Sequence, residues 1–259
     1  MAKQQISILL PETTKPVTFF IDHIGTFAFL AGDRSILLIV DVDVVQKVRR
    51  VTLRSSIHFQ NKCSVPIDIL CPASEVDDLE LLQSIQPEEK YMLPLPYISD
   101  EVYVRPSAFP FGNSVRPLQI NRGGFQVLEC PGDAGASKSF HLIANYKEDS
   151  YANFPMMDRV RIPHSLVSLH SPINLRNELP FDLSLRQLSP TSVEQTLKPG
   201  SDVSFFDVDI ILELCIPHLG PKWSQRIRLR RKDSKACWCL PLSAPVFGFA
   251  YVLNLLFFT

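Results

Sequence analysis

Two nine-residue rows dominate this sequence: LRSSIHFQN at 53–61 and LHSPINLRN at 169–177, with leucine, serine, isoleucine and asparagine at the same offsets. In a strand, alternate side chains share a face. Leu53, Ser55, Ile57, Phe59 and Asn61 therefore form one row and Leu169, Ser171, Ile173, Leu175 and Asn177 another, each an apolar row that ends in an amide. The match continues downstream. VPIDI at 65–69 parallels LPFDL at 179–183, with two extra residues before the proline in the first copy, and IQPEEKYML at 85–93 parallels LKPGSDVSF at 197–205. A weaker pair sets Asn113-Ser114 beside Trp223-Ser224. Four matches in one order, with the asparagines 116 residues apart, describe a repeated multi-stranded unit much larger than a solenoid repeat.

Proline rather than glycine punctuates the chain, 21 against 10, which disfavours long helices. Runs rich in Val, Ile, Phe and Thr at 15–20, 26–30, 36–44, 50–59, 66–70, 101–105, 125–130, 140–145, 167–175, 181–188, 203–216 and 225–231 predict short strands. One exception is SEVDDLELLQS at 74–84, whose acidic first turn and apolar Val76, Leu79 and Leu82 or Leu81 predict a short helix inserted between strands. The expected fold is all-β: tandem multi-stranded antiparallel modules, β-sandwich-like, at 1–115 and 116–235, with that helical insertion and an apolar tail at 236–259.

With 46% hydrophobic residues, 20% charged residues and a net charge of -1, the chain can bury a core, and its overall field does not suit nucleic acid. The N-terminal apolar run stops at Pro11 and Glu12, unlike a secretory signal, and no Asn-x-Ser/Thr acceptor occurs, so the six scattered cysteines point to a reducing compartment.

Asn61 and Asn177 are the candidate site residues. Leaving a core-edge amide unpaired costs about 1 to 3 kcal/mol, so the first expectation is that each bridges backbone groups of the next loop; direct partner contact is the sharper alternative. The Asp-Val-Asp triplets 41–43 and 207–209 offer carboxylates, but i and i+2 share a strand face, and a solvated acidic row explains both. Cys237-x-Cys239 lacks a second ligand pair for zinc, His164 and His170 accompany no nucleophile motif, and Arg122-Gly123-Gly124 reads as a turn before a strand. Neither catalysis, a metal nor a cofactor is expected.

The two asparagine-ended rows, the Pro-apolar-Asp-apolar segments, the following apolar-x-Pro turns, FFIDHIGTFAFL at 19–30 and the VRRVTLRSS lead-in at 48–56 resemble the adaptor-binding repeats of the vacuolar protein sorting-associated protein 13 family, in detail its B-type branch. The resemblance covers about residues 1–235. It implies a β-rich repeat array with one asparagine per repeat, recruiting adaptor proteins that carry Pro-x-Pro motifs, within parents that move phospholipid between organelles. It also implies a cytoplasmic location, peripheral to Golgi or endosomal membranes at contact sites. The lipid-lined groove of such parents has no counterpart here, and only two asparagine rows are present, which reads as a truncated fragment or isoform with an unrelated ending. An extended peptide could add to a strand edge or enter a groove lined by some of the 17 phenylalanines, although alternating Phe is more often core.

The last segment carries a competing reading. KWSQRIRLRRKDSK at 222–235 has seven basic residues and one acidic, and 236–259 has no charged residue. A basic stretch before an apolar one of that length suits an anionic membrane surface or an anchor, whereas Arg226, Arg228 and Arg230 around Ile227 and Leu229 also fit a strand with a solvated face.

Overall fold

The computed structural model describes residues 4–10, 15–31, 36–73, 78–97, 101–107, 111–120, 124–132, 139–151, 162–188, 194–217, 223, 226–230, 238–239 and 252–253. Among them the fold is built from strands: β1 (Gln5–Ile8), β2 (Val17–Phe20), β3 (Gly25–Ala31), β4 (Ile36–Val45), β5 (Val48–Ser55), β6 (Ile57–Asn61), β7 (Ile67–Pro72), β8 (Leu79–Ile85), β9 (Lys90–Met92), β10 (Tyr103–Pro106), β11 (Gly124–Cys130), β12 (Phe140–Tyr151), β13 (Ile162–His170), β14 (Ile173–Arg176), β15 (Leu183–Gln187), β16 (Glu194–Leu197), β17 (Asp202–Phe205), β18 (Asp209–Cys215), β19 (Ile227–Arg230), β20 (Trp238–Cys239) and β21 (Val252–Leu253). A single 3-10 turn, Leu95–Tyr97, interrupts them.

Three buried apolar clusters organise these strands. The first joins the β1-β2 pair to the β3-β4-β5 meander through Val17, Phe19, Leu38, Val40 and Val42. The central cluster lies between the sheets β10-β7-β8 and β11-β12-β13-β6-β9, around Phe59, Ile67, Ile69, Leu128, Leu142 and Leu169. The third joins β14-β17 to β16-β15-β18-β19 through Ile173, Leu175, Leu183, Leu185, Leu212 and Leu229. Two facing sheets over a shared core match the expected sandwich-like modules. A cut after residue 115 falls inside the central cluster, between Ser114, whose backbone N–H donates to Val104, and Leu118, which bridges Val102.

The third unit repeats the β6–β10 portion of the central one strand for strand. The pair β14-β17 corresponds to β6-β9, and β16-β15-β18 corresponds to β8-β7-β10. The nine-residue rows straddle the junctions between units. Residues 53–55 end β5 in the first meander, and 57–61 form β6 in the central sheet, because the chain turns at Ser55, whose hydroxyl meets both the N–H and the carbonyl of Ile57.

Three features depart from expectation. No helix forms at 79–85: β8 pairs antiparallel with β7 and carries a β-bulge opposite Ile69/Leu70. The extra residue puts Leu82 and Ile85, three apart, on the same core, which imitates helical spacing; residues 74–77 lie outside the described set. The sheets are not wholly antiparallel, since β13 runs parallel to β6, with Ser165 opposite Ile57 and Leu169 opposite Asn61. Finally, Ile67 and Leu183 are the equivalent strand starts, so the copies need no two-residue gap, and buried Asp68 and exposed Asp182 are not counterparts. Of the apolar tail, only the antiparallel β20-β21 pair falls within the described residues.

Candidate functional site

Asn61 ends β6 as a fully buried side chain. Strand alternation aims it inward behind Ile57 and Phe59, where no water can satisfy it. Its Nδ2 donates to the carbonyls of Val65 at 2.8 Å and Ile85 at 2.9 Å, while its Oδ1 accepts from the Cys63 N–H at 2.9 Å. Its own backbone is also engaged: its N–H donates to Glu89 and its carbonyl accepts from Glu88. One side chain thus ties a strand end to the loop that follows and to the end of β8.

Asn177 repeats this arrangement. It is fully buried; its Nδ2 donates to Phe181 at 2.8 Å and Leu197 at 2.9 Å, and its Oδ1 accepts from Leu179 at 3.0 Å. Its N–H donates to Ser201 and its carbonyl accepts from Gly200. The far carbonyl lies 24 residues beyond Asn61 but 20 beyond Asn177, and the geometry absorbs the difference. Each asparagine carbonyl receives the N–H of a left-handed turn residue, Glu88 at φ 65° or Gly200 at φ 76°, directly after a proline. Proline followed by a positive φ, closed by Glu89 N–H to Gln86 or Ser201 N–H to Lys198, is a type II turn.

The surroundings of the first clasp suit a structural role. Burial pushes the Cys63 thiol up to about 12, and its Sγ lies 3.4 Å from the Leu169 carbonyl. Burial, aided by Lys62, holds the nearby His170 imidazole below its usual value, with Glu88 opposing. Both shifts favour the uncharged forms.

Asp41, Asp43 and Asp209 of the acidic triplets are paired with arginine, while Asp207 accepts from the Gln187 amide at 3.3 Å. Asp41 accepts from Arg54; burial pushes its carboxyl up, but the hydrogen bonds from Arg54 and Thr26 and the charge of Arg54 outweigh that and hold it below its ordinary value. Asp43 faces Arg50 at 3.6 Å. Asp209 takes Arg228 and Arg230, and the Arg228 hydrogen bond holds its carboxyl below the usual range. Among the described residues no group of three or more His, Cys, Asp or Glu could hold a metal ion. Cys237 and Arg122-Gly123 lie outside them, and Gly124 begins β11.

The arginines of the basic stretch alternate with buried Ile227 and Leu229 on β19, as a strand with a solvated face requires. Arg226 reaches Glu213 at 3.6 Å, and Arg228 and Arg230 reach Asp209. Among the described residues no helix is long and apolar enough to cross a membrane. Most described phenylalanines serve cores: Phe19, Phe59 and Phe140 are buried, whereas Phe20 and Phe125 are exposed.

Two polar clusters were not foreseen. Arg186 on β15 lies over the Trp223 ring at 4.5 Å and pairs with Glu213 on β18. Asp68, buried on β7, takes Arg105 at 3.0 Å and the Ser107 hydroxyl. Each joins residues 27 to 39 positions apart, a separation that no local pattern announces.

A family model described as vacuolar-sorting associated protein 13, adaptor binding domain, matches residues 32–236. The chain is similar to the intermembrane lipid transfer protein VPS13C of Mus musculus, 26% identical over 210 residues that cover 74% of this chain and 5% of that protein. The chain therefore spans about 5% of the length of the curated relative it matches.

Proposed function

The chain belongs to the vacuolar-sorting associated protein 13 adaptor-binding domain family, and from that premise we propose that it is a non-enzymatic targeting module of an intermembrane lipid transfer protein, recruiting adaptors through extended Pro-x-Pro peptides at Golgi or endosomal contact sites. One observation carries this reading: the same buried asparagine clasp, with the same three side-chain hydrogen bonds and the same turn, recurs in two units of one chain. Such repetition maintains a framework whose strand edges and loops can vary. A Pro-x-Pro segment suits it, since polyproline conformation is extended before binding and loses little entropy on docking.

In this reading Asn61 and Asn177 are internal ties. Both N–H donors of each amide are spent on the protein's own carbonyls, which leaves none for a peptide. The described arginines give less support to the alternative of an anionic membrane surface, because Arg226 reaches Glu213 and Arg228 and Arg230 share Asp209. Within the family we assign the chain to the B-type branch, which its motifs resemble in detail; its identity to B-type and C-type chains over 32–236 tests that assignment.

The functional test is fluorescence anisotropy of labelled Pro-x-Pro peptides titrated with the full chain. Saturable binding, lost when both prolines become alanine, is the expected result. A folded chain that binds no member of a varied Pro-x-Pro library overturns the peptide specificity.

A further inference from the structure

The central unit, flanked on both sides by described strands, carries an irregularity that the third unit lacks. In β8 the extra residue at the bulge gives the core position to Leu82 and turns Leu81 to the outer face, opposite Leu70, whose neighbours Ile69 and Cys71 belong to the core. A regular strand counted back from buried Ile85 would face residue 81 inward. Bulges at sheet edges re-aim side chains, and here the re-aimed leucine is 48% exposed. It ends an apolar cross-strand row with Leu70 and Tyr103. In the third unit β16 pairs with β15 in regular register, and the corresponding row is ionic: Glu194, Arg186 and Glu213.

The edge that holds Leu81 also differs from others around the central core. Residues 114–118 cover the β10 and β11 edges, with the Ser114 N–H donating to Val104, the Leu118 N–H to Val102 and the Val115 N–H to Glu129. β8 lies at the other end of its sheet and pairs, among the described residues, only with β7. Its carboxylates are distinctive as well. Asp22, Asp41, Asp43, Asp68, Asp209 and Glu213 each meet an arginine, whereas exposed Asp78 and Glu80 meet no cation among the described residues. Because side chains alternate, half-buried Leu79 and exposed Leu81 lie on one face of this edge and Asp78 and Glu80 on the other.

We propose that the β8 edge docks an extended segment of a partner protein in which apolar and basic residues alternate. The apolar residues pack on Leu79 and Leu81, and the basic ones face Asp78 and Glu80, the cross-strand pairings that stabilise a sheet. The leucines supply burial, while the carboxylates repel acidic strands and so restrict which segments add. This site is independent of Pro-x-Pro recognition, which needs no positive charge.

Fluorescence anisotropy of a labelled hexapeptide of alternating lysine and valine, titrated with the full chain, tests this. The expected result is saturable binding, with no binding of the glutamate–valine counterpart and slowed hydrogen exchange of amides 79–85 in the complex. Binding is expected to weaken about tenfold in Leu81→Ser and to fall in Glu80→Lys, each with an unchanged circular-dichroism spectrum. A lysine–serine peptide makes the same comparison on the unaltered chain and is expected to bind about tenfold more weakly. If it binds as tightly as the lysine–valine peptide, the attraction is charge alone and the proposal is overturned. A folded chain that does not bind the probe, or protection confined to residues outside 79–85, also overturns it. So does displacement of the probe by a Pro-x-Pro peptide, which assigns the edge to that peptide instead. Pro-x-Pro binding that persists in Leu81→Ser while probe binding is lost supports two separate sites.

Discussion

At the scale of the residue, the asparagine clasp turns on amide chemistry that no other side chain of its size reproduces. Asn61 and Asn177 each satisfy two carbonyls and one N–H of the loop and strand end around them. Replacing either by alanine strands these groups and is expected to lower the unfolding free energy by about 3 kcal/mol, read as a shift of the urea midpoint. Aspartate has the same shape but offers only acceptors when ionised, so it turns both donated bonds into oxygen-oxygen repulsion. Asn61→Asp is therefore expected to be at least as destabilising as Asn61→Ala, although it retains the bond from Cys63. A near-neutral Asn61→Asp would show that the Val65 and Ile85 carbonyls find other donors. The asparagines themselves were legible, because they recur at a fixed offset and end apolar rows. Their far partners were not: Ile85 and Leu197 are 24 and 20 residues away, and only the folded turn brings them close.

Among the elements, the type II turns that receive the asparagine carbonyls make a controlled comparison. Gly200 occupies the left-handed position freely, and a β-carbon there would meet nothing within 4 Å. Gly200→Ala should therefore cost about 1 kcal/mol through backbone conformation alone, measured by urea denaturation. Should the variant be as stable as the parent, the turn must relax out of its positive φ. The strands were largely legible from β-branched and aromatic runs between prolines. The failures share a physical cause, a register that local spacing cannot express. The β8 bulge converts a period of two into a period of three around Leu82 and Ile85. The β4-β5 hairpin turns on Gln46 and Lys47, both at positive φ, although neither is a residue that announces such a turn. The parallel β13-β6 pair joins segments more than one hundred residues apart, and nothing in either strand distinguishes a parallel neighbour from an antiparallel one.

At the scale of the whole molecule, three separate cores raise the question of what makes the chain respond as one body. Among the described residues two links are identifiable. Leu95, from the segment after β9, packs on the first core, and Phe206, just past β17, packs on the central one. Phe206 stacks on Phe140 with ring centroids 4.2 Å apart, Phe111 meets the same ring at 5.3 Å, and the His141 N–H donates to the Phe206 carbonyl. The third unit is thus coupled to the central one through an aromatic side chain that neither core needs for its own closure. Phe206→Ala removes the stack and part of the burial but leaves the backbone hydrogen bond, a loss of about 1 to 2 kcal/mol. That loss falls on the coupling between units more than on either unit. The expected outcome is a broadened or biphasic urea transition, with amides of 173–230 exchanging before those of 57–170 in hydrogen-exchange mass spectrometry. A single coincident transition in Phe206→Ala would place the coupling elsewhere, with the direct passage from β13 through residues 171–172 into β14 as the remaining covalent route. A biphasic result would make the repeat unit the unit of stability, each asparagine clasp securing its own unit and the phenylalanine stack setting how strongly one unit senses the state of the next.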